Sequence, residues 1–400
     1  MATPETVTKS SNDDIEFCTL GMFILDDIEF GGSIPPVKGV LGGAASFAVV
    51  GARLVAGREH SQSVSWIVDV GSDFPPEVLD VIKSWGTRCV IREDKGRLTT
   101  RAWNGYGPNE KRDFKYLTPR LRLEPYMLSK EQVFSRTFHL VCSSARCISI
   151  VQGILQRKEE MLREGYIPSS AAAAARPIFV WEPVPDRCTP EEQERFFAAS
   201  RVVDVVSPNE LELGMMFGRP GWSEKNKSDQ DLVKRILKSG IGPDGNGVLV
   251  IRAGKDGSYS YSRNMGLWLP AYHQPDPSGT SPVVDPTGAG NSFLGALAQG
   301  MISQGRPPAK MVESILGRSP VWRDVVDSWG RNGQIPMALI CASVAAAFVV
   351  EQIGVPQISV SSDGEELWNG HAFLERVRLY SQRLYKMLQE TPQRHDWLID

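Results

Sequence analysis

Seven short apolar runs rich in β-branched residues recur along the chain, and they constrain its fold more than any other feature. The runs are FCTLGMFI, SVSWIVDV, TRCVIRE, TFHLVCSS, PIFVWEPV, VVDVVSPN and GVLVIRAG. Helix-like stretches separate them, at 43–57, 75–85, 147–164, 190–200 and 228–239. Such an alternation is typical of a mainly parallel sheet flanked by helices on both faces. The even spacing predicts one doubly wound α/β domain over 15–400 rather than two unrelated domains.

Three segments fall outside this alternation. Residues 24–34 and 98–118 alternate apolar and polar side chains around glycines, which predicts antiparallel strands that form a small β lid. Residues 365–391 carry apolar side chains at helical spacing, which predicts a C-terminal helix packed on the core. The polar N-terminus, 1–14, is predicted to be a disordered lead-in.

Composition excludes several classes of partner. The net charge of −3 provides no basic field, so neither nucleic acid nor a membrane surface is an expected partner. No apolar run approaches the roughly 18–20 residues of a membrane-spanning helix, and the N-terminus lacks the features of a signal peptide. The six cysteines are scattered without a CxxC pair, which is typical of reduced thiols. These features predict a cytoplasmic protein.

A glycine-rich turn, VVDPTGAGN, is the strongest candidate for chemistry. Asp285 follows an apolar pair, and Gly288, Ala289 and Gly290 let successive N–H groups point into one concavity where a helix begins. Such a helix start favours a bound phosphate. Asn291 is also a good N-cap residue, so the turn taken alone fits a phosphate site and an Asn-capped turn equally well.

Two further loops follow predicted strands. GVLVIRAGKDGSY leads into Gly254 and Gly257, a second loop able to present backbone donors, and VVDVVSPNELELG places Asn209 and Glu212 on one face of a starting helix. An acid and an amide at the end of a strand suit Mg²⁺ held through water. WEPVPDRC, at 181–188, also follows a strand; it is interpreted as a surface loop, with lining of the cleft as the alternative.

Near the N-terminus, LGGAASFAVVGARL sets Gly42 and Gly43 at a helix start, and Asp26 lies in the loop after the first strand. Asp27 is adjacent to Asp26, and neighbouring side chains on a strand point to opposite faces. Only one of the two aspartates is therefore expected to face a pocket.

This set of motifs, in this order, resembles the phosphofructokinase B (PfkB)/ribokinase family of small-molecule kinases, from about Cys18 to about Val360. The resemblance implies a ribokinase-like fold that uses ATP and Mg²⁺, with a possible K⁺ site at the main chain of Asp285. The roles that it implies are an acceptor pocket at Asp26, Gly42 and Gly43; an Mg²⁺- and phosphate-organising pair, Asn209 and Glu212; a nucleotide loop at Gly254 and Gly257; an anion hole at Gly288, Ala289 and Gly290; and Ser343 beside adenine.

Three residues depart from the family pattern. Asn291 stands where the family has its catalytic aspartate, whose loss costs roughly 10²–10⁴ in rate. Phe47 replaces an asparagine that binds a sugar hydroxyl, which makes the acceptor side more apolar. Arg252 replaces the usual threonine before the nucleotide loop and either faces phosphate or reaches solvent. The departures are similar to those of a fungal branch of the family associated with maintaining the yeast killer system.

Three functions are compatible with this pattern. The first is an ATP/Mg-dependent phosphotransferase that acts, with altered catalysis, on a hydroxyl of a small acceptor other than a simple sugar. The second is a pseudokinase that binds nucleotide or a small ligand without transfer. The third is a different reaction that uses the anion hole. Lids in the family often pair between subunits, which predicts a homodimer.

Overall fold

The structure is a computed structural model that describes residues 14–30, 35–106, 112–263, 265–276 and 278–390. The predicted lead-in lies outside these ranges apart from Asp14. The strands are β1 (Phe17–Thr19), β2 (Ile24–Phe30), β3 (Val37–Gly42), β4 (Val64–Val70), β5 (Arg88–Glu93), β6 (Arg101–Tyr106), β7 (Arg112–Tyr116), β8 (Thr137–Cys142), β9 (Ile178–Pro183), β10 (Val205–Val206), β11 (Val248–Arg252), β12 (Ser258–Tyr261), β13 (Gly266–Leu269), β14 (Ile358–Val360) and β15 (Glu366–Trp368).

Helices connect and cover these strands. They are α1 (Gly43–Ala56), α2 (Pro76–Ser84), α3 (Lys130–Val133), α4 (Ser144–Arg163), α5 (Ala171–Ala174), α6 (Gln193–Ser200), α7 (Glu210–Met216), α8 (Lys227–Ser239), α9 (Ala289–Gly300), α10 (Pro307–Leu316), α11 (Pro320–Ser328), α12 (Gln334–Val349) and α13 (Phe373–Glu390).

The main sheet has the order β13-β12-β11-β10-β9-β8-β1-β4-β5. All pairs from β11 to β5 are parallel, and a hydrophobic core lies on each face. The predicted α/β class with a mainly parallel sheet is confirmed. The seven apolar runs supply the parallel strands, whereas the antiparallel β12 and β13 were not predicted because SYSY and GLWL are short and weakly patterned.

A second, four-stranded sheet has the order β3-β2-β6-β7. The segments predicted as lid strands supply β2, β6 and β7, while β3 was not foreseen; residues 31–34 and 107–111 lie outside the described ranges. The sheet is not wholly antiparallel as expected, because β2 and β6 run parallel. The chain between these two strands passes through α1, β4, α2 and β5, and such a long crossover permits parallel pairing.

The C-terminal part contains more than the predicted helix. β14 and β15 form an antiparallel hairpin, and α13 begins only at Phe373. Trp368, which helical spacing had assigned to the helix, lies buried on β15. Arg53 of α1 donates to Glu366 at 2.5 Å and lies over the Trp368 ring, which ties the hairpin to the core.

One helical stretch, Gly330–Val349, is long and apolar enough to cross a membrane by composition alone, which the sequence analysis did not expect. The fold gives it another role, because 72% of its most apolar window is buried inside the protein. Its C-terminal portion, α12, packs against α9 and is a core helix.

Helices α1 and α9 touch backbone to backbone. A Cβ atom built on Gly51 would lie 1.9 Å from the Ser292 carbonyl oxygen, and one built on Gly295 would lie 1.9 Å from the Ala48 carbonyl oxygen. Only glycine allows this separation at both positions. Phe47, near the start of α1, also packs on Gly288, which immediately precedes α9. The two helices therefore begin at the same end of the molecule and run side by side.

We expect Gly295→Ala to lower the free energy of unfolding by about 1–3 kcal/mol, the usual effect of overpacking a core. The added methyl meets backbone, which cannot move aside as a flexible side chain would. Gly305→Ala is the matched control, since Gly305 is exposed and a Cβ there has nothing within 4 Å. Denaturant unfolding of both variants measures the difference. Equal stabilities would contradict the backbone contact between α1 and α9.

Candidate functional site

The glycine-rich turn forms the N-terminus of α9. Gly288 is the N-cap, with a left-handed φ of 82°, and Ala289, Gly290 and Asn291 are the first three helical residues. Asn291 is therefore not an N-cap, and the Asn-capped alternative is wrong. Residues in the first turn of a helix have N–H groups without acceptors in the helix itself. The turn thus has the geometry of an anion-binding helix start.

Hydrogen bonds on both sides stabilise this turn. The buried Asp285 carboxylate accepts the Thr287 N–H at 2.8 Å. The Val350 carbonyl, just after α12, accepts the N–H groups of Val284 at 2.7 Å and of Asp285 at 3.1 Å. The end of α12 is therefore joined directly to the segment that enters the anion hole.

The Asn291 side chain occupies the position that the resemblance assigns to the general base. Its Oδ1 is buried and, among the described residues, has no hydrogen-bond partner. A carboxamide oxygen accepts hydrogen bonds but does not take up a proton near neutral pH. The side chain can position an acceptor hydroxyl but does not supply a base.

Phe47 lies beneath the anion hole. A Cβ built on Gly288 would lie 2.2–2.4 Å from Cγ, Cδ2 and Cδ1 of the Phe47 ring, so the ring packs directly on this glycine. Phe47 is only 3% exposed. The residue supports the turn and offers no hydrogen bond to a ligand there.

Asp26 joins the lid to the start of α1. Its carboxylate is buried, and Oδ2 accepts the Gly43 N–H at 3.3 Å. A Cβ on Gly42 would lie 1.9 Å from this oxygen, which explains why glycine is needed at that position. Asp27 points to the other face, where it accepts the Gly39 N–H at 2.9 Å. The structure places Asp26 beside Gly42 and Gly43, the residues that the resemblance groups as an acceptor pocket.

Arg252, the last residue of β11, lies between Glu212 and the glycine-rich turn. Its Nη2 lies 2.8 Å from Glu182 Oε1 and 3.2 Å from Glu212 Oε2, and it donates to the Ser207 carbonyl at 3.0 Å. Its Nη1 lies against the anion hole, since a Cβ on Gly290 would fall 2.0 Å from that nitrogen. The alternative in which Arg252 reaches solvent is wrong, because the side chain is only 12% exposed.

Glu182 is a site residue that the sequence analysis assigned to a surface loop. It is the penultimate residue of β9 and is 7% exposed, and its Oε2 is buried without a hydrogen-bond partner among the described residues. No local pattern marks it, because its partner Arg252 lies 70 residues away. The signal that could have revealed it is a charged residue at the carboxyl end of a buried strand.

Asn209 and Glu212 form a capping box at the start of α7. The Asn209 N–H donates to Glu212 Oε2 at 2.7 Å, and the Glu212 N–H donates to Asn209 Oδ1 at 2.8 Å. Burial raises the pKa of the Glu212 carboxyl to about 7; Arg252 acts in the opposite direction, and Glu182 adds to the increase. Both side chains therefore already hydrogen-bond the start of α7 in the absence of a ligand.

These contacts do not fit a magnesium ion organised by Glu212. Glu212 Oε2 already accepts the Asn209 N–H and faces Arg252. Mg²⁺ at this carboxylate would lie beside a guanidinium, and the two positive charges would repel each other. Arg252 thus already contacts the carboxylate to which the resemblance assigns the metal.

The nucleotide loop lies directly after Arg252. Gly254 and Gly257 adopt left-handed φ values of 49° and 87°. A Cβ on Gly257 would lie 2.0 Å from the Leu269 carbonyl oxygen, whereas Gly254 faces open space. Gly254 therefore has room for a ligand. The Ser343 hydroxyl donates to the Leu339 carbonyl within α12 at 2.9 Å.

A family model described as pfkB family carbohydrate kinase matches residues 35–359. The chain belongs to the pfkB family.

Two fungal relatives of this pfkB-family chain are each 33% identical to it. An uncharacterized protein of Schizosaccharomyces pombe aligns over 386 residues, 93% of this chain and 94% of its own. Protein MAK32 of Saccharomyces cerevisiae aligns over 377 residues, 90% and 91%.

Solved structures support the ribokinase-like fold. Ribokinase from Giardia lamblia superposes with a TM-score of 0.60 at 17% identity, covering 94% of this chain and 100% of its own. An E. coli protein assigned as ribokinase II, solved in complex with ATP and Mg²⁺, gives 0.55 at 15% identity, covering 92% and 99%. These likenesses establish the fold of this pfkB-family protein.

The raised pKa of Glu212 predicts how stability depends on pH. The unfolded carboxyl has a pKa near 4.5, so the folded state holds the proton more tightly. The stability that this group contributes is fully present below pH 4.5 and is lost as the pH rises through about 7, with a change of up to about 3 kcal/mol. Unfolding in denaturant between pH 4.5 and 8 measures this loss.

Glu212→Gln keeps the capping acceptor and removes the titration, so the pH-dependent loss should shrink in this variant. Glu194→Gln, at an exposed position on α6, is the control and should behave as the natural protein does. A pH profile of Glu212→Gln that is identical to that of the natural protein would refute the assignment.

Proposed function

We propose that this chain is a phosphotransferase of the pfkB type that transfers a phosphoryl group from ATP to a hydroxyl of a small acceptor. The single observation that supports this best is the anion hole. It keeps a left-handed glycine, two further small residues and a helix N-terminus, with the Arg252 cation beside it. Phosphoryl transfer depends mainly on positioning and charge stabilisation, and these features provide both.

The residues of the chain take separate roles in this proposal. Backbone N–H groups at Gly290 and Asn291 hold the transferred phosphoryl group, and the guanidinium of Arg252 offsets its charge. The Asn291 amide orients the acceptor hydroxyl, whose proton leaves to solvent or to the phosphoryl oxygens. Because no positioned base takes that proton, turnover is slow.

We further propose that the acceptor is not a simple sugar. Phe47 stands where the family pattern has a hydroxyl-binding amide, and its buried ring contributes only apolar surface beneath the turn. Among the residues that the structure describes, Asp26 and the backbone around Gly42 and Gly43 supply polar groups on the acceptor side. An acceptor with few hydroxyls and an apolar portion fits these surroundings better than a hexose does.

A second candidate is a pseudokinase that binds nucleotide without transferring phosphate. One observation favours it: the buried Asn291 Oδ1 lies where a base is expected and cannot serve as one.

Asn291→Asp separates the two candidates. We expect it to raise acceptor-dependent ADP formation by about 10²–10⁴-fold, because a carboxylate supplies the missing base. ADP release is measured with ATP and a panel of sugars, nucleosides and vitamin-like alcohols. Asn226→Asp, which preserves the N-cap of α8, is the matched control and should change nothing. Acceptor-dependent ADP from the natural protein excludes the pseudokinase, whereas activity confined to Asn291→Asp supports it.

We also propose that the lid pairs with a second copy of the chain. The lid sheet and the loops at its edge expose large apolar side chains, with exposed fractions of 37–53%: Val37, Leu98, Phe114 and Leu117. Burying these groups between two lids would remove apolar surface from water.

Light scattering coupled to size-exclusion chromatography tests this dimer. The natural protein should elute at about twice the chain mass, and the double variant Phe114→Ser, Leu117→Ser should shift toward the monomer. Ile167→Ser removes an exposed apolar side chain elsewhere and serves as the control. A monomer at every concentration would reject the lid dimer.

A further inference from the structure

The two terminal nitrogens of the Arg252 guanidinium face different parts of the protein. Its Nη2 edge faces Glu182, Glu212 and the Ser207 carbonyl at 2.8–3.2 Å. Its Nη1 edge faces the backbone of Gly290 in the anion hole. The carboxylates therefore lie behind the guanidinium, and the edge turned toward the phosphate site carries positive charge.

A purely structural arginine would be expected to use its donors on the protein. Here Nε is buried and has no acceptor among the described residues, and Nη1 lies beside the first turn of α9. The positive end of the α9 dipole points to the same place. Two sources of positive charge thus converge where a phosphate would sit.

The chemistry of arginine suits this position. A guanidinium stays charged at all physiological pH values and presents parallel N–H groups that match phosphate oxygens. The carboxylate of Glu212, which would otherwise attract a divalent ion, is already occupied by Arg252 and by the Asn209 N–H.

We infer that Arg252 is the built-in cation of the phosphate site and replaces a divalent ion organised by Glu212, so that this chain binds a nucleoside triphosphate without a divalent cation. The inference rests on the proposed function, since it requires that the cleft binds nucleotide. The inference concerns which group neutralises the phosphates of the bound nucleotide, whereas the proposed function concerns transfer of the phosphoryl group.

Isothermal titration with ATP, once in excess EDTA and once in millimolar Mg²⁺, tests the inference on the natural protein. We expect the two dissociation constants to agree within about threefold. Arg252→Thr should bind ATP at least tenfold more weakly in EDTA and recover when Mg²⁺ is added, because the freed carboxylates can then organise the ion. Arg252→Lys should keep most of the EDTA affinity, and Arg378→Thr, which loses only a surface ion pair on α13, is the control.

The outcomes are distinguishable. A natural protein that binds ATP only with Mg²⁺ overturns the inference and leaves the proposed function standing. Equal EDTA affinities of the natural protein and folded Arg252→Thr also overturn it. Absence of ATP binding in both buffers refutes the proposed function and the inference together. If Arg252→Thr does not fold, as judged by thermal unfolding, the comparison of buffers and Arg252→Lys still decides.

Discussion

The close contact between α1 and α9 is the constraint on which the site depends. Gly51 and Gly295 allow each helix to meet a carbonyl oxygen of the other, so the two axes approach more closely than side chains would permit. This approach brings the N-terminus of α1, with Asp26 and Gly43, beside the N-terminus of α9, with its anion hole. The residues around Gly43 and those around Gly288 are adjacent because two glycines lie at the helix crossing.

Arg252 provides the second connection, between the sheet and α9. It ends β11, contacts one carboxylate on β9 and another in the first turn of α7, and reaches the backbone of Gly290. The chemical departures from the family pattern are therefore linked in space. Phe47 packs on Gly288, Arg252 packs on Gly290, and Asn291 is the next residue. All three residues therefore surround one turn.

Much of the fold could be predicted from local patterns. The β-branched runs identified the parallel strands, because a strand buried on both faces must be apolar along its length. The motifs identified the glycine-rich turn before α9 and the helix start that carries Asn209 and Glu212, but not the capping box that these two residues form. Glu182 was not predicted as a site residue because its role comes from an ion pair across the sheet. The strands β12 and β13 were not predicted because hairpin strands need little apolar periodicity. Burial of Phe47 against a glycine depends on helix packing, which no local pattern encodes.

The carbonyl oxygen of Val350 links the end of α12 to the turn that precedes α9. It accepts the N–H groups of both Val284 and Asp285, so a single oxygen fixes the end of α12 and the entry to the anion hole together. Displacing that oxygen would release two donors at once. The end of α12 and the entry to the turn therefore move together, or they separate at the cost of two hydrogen bonds.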